Sequence, residues 1–476
     1  MVTLPNLENA IIFRDKARLS RGWLPFCLIL CALLAFPLAV YAFEYHSDFT
    51  FVEVPDPLSG DNPAYPLVPR VVPGPAESFQ DLRFGTALTR ITEKLGLRHD
   101  YSRFDPFNAD GSMMVLISPA TSTWVVFRTS SVPYDQASNQ VRTIEDLTEL
   151  WWDASNPKLM WGLRDFSIIR LDVTTGRKKV IKDFSKDPII GPIIQNEPDL
   201  YRITDKDEGE PSLNKRYWAV CLQGSKDDYR LRYILTWDRK LDRVLGLYRL
   251  SREEAEVIDW VGMSPLGRRV IIGGGSGKVK TSGLTMADKR FAAFHKLAYE
   301  TAHSDVGLDG TGKEVIVMQN NRTDFVDLIP LDKRVKVVMT EADYENNLVK
   351  PIVRLYYNSE SPLELKSGIH VSCNRTGYCV IGTYIGPGLP EQNWLDRSII
   401  LVKLDRMTPR AFYLAKLYNT TREYWEETHA SMSNDGSKVV WADNWSRYVG
   451  REKCFVMLLN MPPGWADRIG SPRTQF

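Results

Sequence analysis

Three of the six histidines in this chain stand in similar sequence contexts. His303, His370 and His429 each precede a turn that is followed by a hydrophobic run. His370 and His429 lie seven residues before the turn glycine, and His303 lies nine residues before it. Because side chains alternate along a strand, an offset of two keeps a side chain on the same face. We therefore expect three imidazoles on one surface, a set that could bind a divalent metal ion.

The turns that follow these histidines belong to a repeat. Its unit is a polar turn, often with Gly or Lys, and then a hydrophobic run. Seven copies occupy residues 108–117, 156–162, 214–220, 265–272, 310–317, 375–381 and 434–441. Their mean spacing of about 54 residues suits a four-stranded blade with its loops. The sequence thus predicts an all-β fold, a seven-bladed β-propeller that forms one domain over residues 77–476.

Two details of the predicted propeller bear on its channel. The hydrophobic run 86–91 precedes the first complete blade, so it could supply the outer strand of the last blade and cover an open edge. The three histidines would stand near the starts of the innermost strands of adjacent blades. In that position they could bind a metal, or they could hydrogen-bond to neighbouring blades and fill the channel rim without one. The sequence leaves both roles open.

The N-terminal 43 residues predict a membrane anchor. Residues 1–21 carry four basic and two acidic side chains, and residues 22–43 carry no charge at all. The uncharged segment would span about 33 Å as a helix, enough for a bilayer core of ~30 Å. Acidic residues follow it, with no Lys or Arg before Arg70. The positive-inside rule therefore places residues 1–21 in the cytoplasm and the propeller in the periplasm or outside the cell. A cleaved signal peptide is the alternative, and it gives the propeller the same location.

A proline-rich segment follows the predicted anchor. Residues 44–76 include seven prolines between positions 55 and 75. Such a composition favours extended, semi-rigid geometry, which suits a spacer between membrane and propeller. A strap folded along the surface of the domain is equally compatible with it.

Two cysteines bracket one of the repeat turns. Cys373 and Cys379 are separated by five residues and flanked by hydrophobic runs. They could close a small loop as a disulfide in an oxidising compartment, or they could be two buried thiols.

Composition and charge exclude several classes of protein. With 43% hydrophobic and 25% charged residues, the chain is globular rather than disordered. Its 60 basic and 59 acidic residues give a net charge of +1. A dedicated nucleic-acid-binding protein needs a basic excess to replace phosphate counterions, so we expect no nucleic acid as partner.

The strand junctions at residues 431–445 and 171–177 resemble those of TolB-like propellers, and the resemblance covers roughly residues 80–460. Because of its histidines, the chain is most similar within that group to oligogalacturonate-lyase-like propellers. This resemblance implies a divalent metal bound by histidines of neighbouring blades, a glutamine and a further histidine, and a basic residue that abstracts a sugar-ring proton. Glu426 stands where the glutamine would be, and Ser431 stands where the further histidine would be. Arg103 is the candidate basic residue.

Three acidic residues occupy comparable places in other blades, namely Glu208, Asp259 and Asp305. Together they would make the channel mouth acidic, which suits cations better than a polyuronate. Two functions follow from the sequence. The first is a membrane-anchored, extracytoplasmic module that binds a partner protein or ligand, for instance as an accessory subunit of a membrane complex. The alternative is a metal-dependent lyase acting on an acidic oligosaccharide.

Overall fold

The computed structural model describes residues 49–58, 65, 67–225, 228–300, 303–355, 367–386 and 395–469. The predicted cytoplasmic tail, 1–21, and the predicted anchor, 22–43, lie outside these ranges. Within the described ranges, none of the helices has the length and hydrophobicity needed to cross a membrane. The membrane anchor therefore stays a prediction.

The described residues form seven antiparallel sheets, which are the seven blades of a β-propeller. Three strands precede the first blade: β1 (Val52–Glu53), β2 (Ser78–Gln80) and β3 (Ala87–Arg90). Blade 1 contains β4 (Met113–Ser118), β5 (Thr123–Arg128) and β6 (Gln140–Ile144), and blade 2 contains β7 (Thr148–Trp152), β8 (Leu159–Arg164), β9 (Ser167–Asp172) and β10 (Lys178–Asp183). Blade 3 contains β11 (Arg202–Thr204), β12 (Tyr217–Gln223), β13 (Leu231–Asp238) and β14 (Arg243–Arg249).

The remaining blades follow in chain order. Blade 4 contains β15 (Ile258–Met263), β16 (Val270–Gly274), β17 (Leu284–Ala287) and β18 (Phe294–Ala298). Blade 5 contains β19 (Ser304–Leu308), β20 (Glu314–Asn320), β21 (Phe325–Pro330) and β22 (Lys350–Arg354). Blade 6 contains β23 (Ser367–Ser372), β24 (Tyr378–Ile385), β25 (Ser398–Lys403) and β26 (Arg410–Lys416), and blade 7 contains β27 (Ser431–Met432), β28 (Lys438–Asp443) and β29 (Phe455–Asn460). Among the described residues, three short helices lie between strands or after the last one: α1 (Ile190–Asn196), α2 (Arg252–Val257) and α3 (Trp465–Arg468).

The predicted repeat matches these blades. Six of its seven turns lead directly into the second strand of a blade, namely β8, β12, β16, β20, β24 and β28, and the first turn leads into β4, whose inner neighbour is the irregular segment 98–107. Glycine is needed where the turn adopts a left-handed conformation, as at Gly377 (φ 85°) and Gly436 (φ 70°). The prediction of a seven-bladed propeller is confirmed.

An N-terminal strand closes the ring. β3 pairs with β29 of blade 7, with Leu88 opposite Leu459, and β2 adds a further strand outside β3. Leu88 is buried among the side chains packed between blades 6 and 7. The prediction that run 86–91 covers the edge of the last blade is thus confirmed.

The described part of the proline-rich segment folds along the domain surface. β1 pairs with β26 as a fifth strand of blade 6, and Val54 beyond it is buried. The ring of Tyr65 lies 5.1 Å from the ring of Tyr413, and the Tyr418 hydroxyl donates to the carbonyl of Val68 at 2.8 Å. Of the two alternatives for this segment, these residues adopt the strap.

The inner edge of blade 1 is interrupted where it faces the channel. Residues 98–107 pair with β4 only at their two ends, Arg98 opposite Ile117 and Phe107 opposite Met114. Between these bridges the chain bulges toward the other blades. Arg103 donates to the carbonyls of Ser304 in blade 5 (2.6 Å) and of Glu208, between β11 and β12 of blade 3 (2.7 Å). This segment therefore fills the channel beside the three histidines.

Cys373 and Cys379 form a disulfide, with their Cα atoms 4.2 Å apart. It joins the end of β23 to the start of β24. The backbone N–H of Cys373 also donates to the carboxylate of Asp305 in blade 5 at 2.5 Å. The disulfide thereby fixes the strand that carries His370.

Candidate metal centre

The three predicted histidines converge at the channel. His303 immediately precedes β19, His370 lies within β23, and His429 stands two residues before β27. The ring centroid of His370 is 4.1 Å from that of His303 and 4.0 Å from that of His429. The innermost strands of three adjacent blades thus bring their imidazoles into one cluster, with His370 at its middle.

A carboxylate that the sequence analysis missed completes this cluster. Glu427 Oε2 forms a hydrogen bond of 2.5 Å with Nε2 of His370 and lies 3.4 Å from Nε2 of His429. Donor atoms of His303, His370 and Glu427 all lie within 4.8 Å of one another. Opposite ligands of one ion with bonds of about 2.1 Å stand roughly 4.2 Å apart, so the spread is close to that of a metal site. We call His303, His370, His429 and Glu427 the imidazole cluster.

Burial keeps the imidazoles neutral. It lowers the pKa of His303 to about 3 and holds the pKa values of His370 and His429 well below the usual range. Neighbouring positive charges, including Arg98, lower the pKa of His370 further. At neutral pH the three rings therefore keep a lone pair for a metal ion. Burial also raises the pKa of Glu427 to about 7, against the opposing effects of His303, Arg98 and a hydrogen bond from Tyr384.

Two nitrogen atoms of the cluster have no partner within the described residues. Nδ1 of His303 and Nδ1 of His370 are buried and make no hydrogen bond. A buried polar atom without a partner costs about 1–3 kcal/mol, and most such atoms in folded proteins are satisfied. The donor set, imidazole nitrogen with one carboxylate oxygen, is one that Zn²⁺, Mn²⁺ and Fe²⁺ accept. The residues present therefore fit a divalent metal ion.

Residues of blade 1 hold the segment that carries Glu427 and His429. His429 has a left-handed backbone (φ 45°), which is unusual for a residue with a side chain. Nε2 of His99 donates to the carbonyl of His429, and Arg98 donates to the carbonyl of Trp425. His99 thus supports the cluster through the backbone rather than as a ligand.

Three tyrosines surround the imidazoles. The ring of Tyr101 lies 5.4 Å from His370 and 5.0 Å from His429, and it is buried. Tyr384 lies 5.4 Å from His370, and Tyr424 lies 4.9 Å from His429. Tyr424 is 41% exposed. It marks the side from which a ligand can approach.

Arg103 does not fit the role of proton acceptor. Its guanidinium carbon lies 3.9 Å from the ring centroid of Trp260, and its N–H groups donate to two carbonyls. Burial lowers its pKa, but Tyr101, Glu208 and other acidic groups more than compensate, so the pKa is raised overall. A guanidinium that stays protonated cannot take up a proton. This expectation from the sequence was wrong, because Arg103 holds the channel together instead.

The acidic residues of the channel also differ from expectation. Nη1 of Arg103 lies 3.5 Å from the carboxylate of Glu208, and burial raises the pKa of Glu208 to about 7. Asp305 is buried and accepts from the backbone of blade 6. Only Asp259 is exposed. The three do not form an open acidic mouth, because two of them are occupied inside the channel.

The two positions suggested by the family resemblance serve the fold. The carboxylate of Glu426 accepts from the backbone N–H groups of Arg422 (2.7 Å) and Gly450 (2.6 Å). The hydroxyl of Ser431 donates to the carbonyl of Phe104 at 2.9 Å. Glu427 lies two residues before His429, the spacing that puts two side chains on one face of an extended segment. That spacing is the signal in the sequence that could have identified it.

The adjacent glutamates provide a matched pair of variants. We expect Glu427→Gln to weaken metal binding by at least tenfold, because it removes the only anionic ligand of the cluster. Glu426→Gln should leave metal affinity unchanged and lower the free energy of unfolding by about 1–3 kcal/mol, since the charge and one of the two oxygens that accept from partly buried N–H groups are lost. Metal titration by calorimetry and denaturant unfolding of both variants check this. The reverse pattern would place the ligand at Glu426.

Comparisons with known proteins find similarity in the fold and none in the sequence. No protein-family model matches the chain, and no curated protein matches it in sequence. Its structure is similar to oligogalacturonate lyase from Vibrio parahaemolyticus, with 11% identity, a TM-score of 0.51, and coverage of 82% of this chain and 97% of that one. It is also similar to an oligogalacturonate lyase in complex with manganese, with 11% identity, a TM-score of 0.50, and coverage of 83% and 98%. At such identity the likeness establishes a seven-bladed propeller and no activity.

Proposed function

We propose that this protein binds a divalent metal ion in the imidazole cluster and, with its help, an acidic oligosaccharide at the channel mouth. The observation that carries this proposal is the convergence of three neutral imidazoles and the carboxylate of Glu427. Two nitrogens of these imidazoles, Nδ1 of His303 and Nδ1 of His370, have no partner among the described residues. A metal bound there supplies a Lewis acid that attracts and polarises a carboxylate. A uronate presents such a carboxylate on every sugar ring.

The surroundings of the cluster favour an anionic, ring-shaped ligand. Arg98 and Arg103 are both buried, and both lower the pKa of His370, so two positive charges lie near the imidazoles. The exposed ring of Tyr424 can pack against the face of a sugar at the entrance. Glu427, 15% exposed, would serve as a ligand and would not repel a carboxylate once a cation neutralises it.

Metal-dependent lyase activity is the second candidate. The likeness in fold to oligogalacturonate lyases, one of them in complex with manganese, favours it. Elimination also requires a group that accepts a proton from the sugar ring. Arg103 stays protonated, and Glu427, although its pKa is raised to about 7, is held by His370 as a member of the imidazole cluster. Binding without turnover therefore agrees better with the residues present.

Metal analysis of the purified protein tests both candidates. We expect one divalent ion per chain, and calorimetric binding of trigalacturonate that EDTA weakens at least tenfold and Mn²⁺ or Zn²⁺ restores. If ultraviolet absorbance shows that an unsaturated product forms, the protein has lyase activity in addition to binding. A protein that binds trigalacturonate equally well with and without metal would contradict the proposal.

We further propose that residues 22–43 anchor the protein in a membrane and that the propeller lies in the periplasm or outside the cell, as a subunit of a membrane complex. The disulfide between Cys373 and Cys379 supports the compartment, because disulfides persist mainly in oxidising environments. Alkylation of intact cells before lysis, followed by mass spectrometry, should find these two cysteines unmodified and bonded. Recovery of both as alkylated thiols, or of the whole protein in the soluble fraction, would contradict this location.

A further inference from the structure

A basic groove lies on the outer part of blade 2, away from the channel. It has a volume of about 410 Å³, and its lining is Leu159, Arg170, Asp172, Arg177, Lys178 and Lys179. Four of these six side chains are cationic and one is acidic. The volume lies in the range of sites that hold ligands of several sugar rings, roughly 300–1,000 Å³.

Like charges face each other across this groove. Arg170 on β9 stands directly opposite Lys179 on β10, and Arg177, immediately before β10, lines the same groove. Like charges directly opposite on neighbouring strands destabilise a sheet. Arg170, Arg177 and Lys179 make no ion pair with any of the described residues. No ion pair among the described residues therefore relieves the repulsion between these side chains.

The single carboxylate of the groove, Asp172, offsets only part of this repulsion, and Lys178 is already paired with Asp146. Asp172 Oδ1 accepts from the hydroxyl of Thr174 at 2.7 Å and from the backbone N–H groups of Thr174 and Thr175, both at 3.0 Å. These bonds lower its pKa to about 2, so Asp172 stays anionic and sets one negative charge against the cations of the lining. By contrast, Lys182 further along β10 is fully paired with Asp187 and Asp242, at 2.9 and 2.7 Å.

Neighbouring blades extend the positive charge. Arg142 of blade 1 donates to the carbonyl of Val173 at 2.7 Å, and its guanidinium lies against Gly176 in the same turn. On the other side, Arg239 of blade 3 lies 5.3 Å from the ring of Trp161, the residue opposite Arg170 on β8. Cations from three blades thus follow the groove.

We propose that this groove is a second binding site, which takes an extended polyanion of the acidic oligosaccharide class. Its openness, with a single apolar side chain in its lining, disfavours a hydrophobic ligand, and guanidinium groups bind carboxylates through paired hydrogen bonds. Lysines on the outermost strand of a blade oppose the addition of a peptide strand. The choice of a sugar among polyanions rests on the proposed function, whereas the anion site itself does not.

Calorimetry of the full-length, EDTA-treated protein with hexagalacturonate tests this site separately from the metal centre. We expect binding that weakens at least tenfold between 0.05 and about 0.5 M salt. The double variant Arg177→Gln with Lys179→Gln should weaken hexagalacturonate binding at least tenfold. The control double variant replaces exposed cations of blades 4 and 5, Arg290→Gln with Lys313→Gln, and should weaken this binding less than twofold. Absence of binding by the metal-free wild type, or an equal loss in the control, would overturn the site.

Charge reversal provides a readout that a purely structural role would not give. Lys179→Glu should abolish hexagalacturonate binding while raising the melting temperature of the ligand-free protein by about 1 °C, because it replaces repulsion from Arg170 with attraction. A lowered melting temperature would mean that the cations stabilise the fold and would contradict the proposal. Tighter binding of hexaglutamate than of hexagalacturonate would contradict the assignment of the ligand. Loss of metal from the imidazole cluster would leave all these results unchanged.

Discussion

Replacing His370 with alanine is expected to reduce the bound divalent metal from one ion per chain to background and to weaken metal affinity at least 100-fold. His370 is the middle imidazole of the cluster, with its ring centroid about equally close to those of His303 and His429. It also hydrogen-bonds to Glu427. Its loss therefore removes one ligand and the contact that positions another. Elemental analysis of the purified variant and calorimetric titration with Zn²⁺ measure the effect.

The controls for this experiment come from the same chain. His295 lies on β18, an outer strand of blade 4, and His295→Ala should leave metal content unchanged. Because His370 is buried, loss of metal by unfolding has to be distinguished from loss of a ligand. His370→Gln, which fills more of the space than alanine does, is therefore measured beside it with near-ultraviolet circular dichroism. A folded His370→Gln protein that keeps one ion per chain would show that the imidazole cluster is structural, the alternative that the sequence left open.

Removing the closing strands is expected to abolish cooperative folding. A chain that begins at residue 92 lacks β1, β2 and β3, so blade 7 would expose the unpaired backbone edge of β29. An open edge of this kind invites association with other chains. A chain that begins at residue 49 keeps all three strands and should unfold as the full-length protein does. Denaturant unfolding followed by tryptophan fluorescence, with light scattering for aggregation, compares the two.

A point variant makes the same prediction quantitative. Leu88 is 1% exposed, and Leu88→Ala should lower the free energy of unfolding by about 2–4 kcal/mol. Leu82, in the same N-terminal segment, is 45% exposed, and Leu82→Ala should change the free energy of unfolding by less than about 0.5 kcal/mol. Equal midpoints for the shortened and the full-length chain, or for the two leucine variants, would show that the propeller closes without β3.

The fold could be predicted because it depends on local patterns. A polar turn followed by a hydrophobic run marks one strand of each blade, and the seven copies define the number of blades without any knowledge of contacts. The unpaired run before the first copy defined the closing strand in the same way. The fate of the proline-rich segment was not predictable, because spacer and strap have the same composition. Contacts such as that of Tyr65 with Tyr413 decide between them.

The candidate site was predictable only in part. The common offset of His303, His370 and His429 from their turns reflects strand periodicity, so the sequence alone placed them on one surface. Glu427 could not be chosen over Glu426 by resemblance, because the direction of each side chain depends on the left-handed backbone at His429 and on its support by His99. Glu426 and Glu427, although adjacent in sequence, thus have unrelated roles.

The sequence by itself determined the seven blades, the closing strand and the alignment of three histidines, since each follows from a periodicity of two residues or from a repeat of about 54. It also supplied the predicted anchor, which rests on residues 22–43 alone. Only the tertiary structure decided which groups the channel brings together: Glu427 among the imidazoles, Arg103 across three other blades, and unpaired cations on either side of the groove in blade 2. Such contacts join residues far apart in the chain, and their charges and pKa values depend on burial that no local pattern encodes.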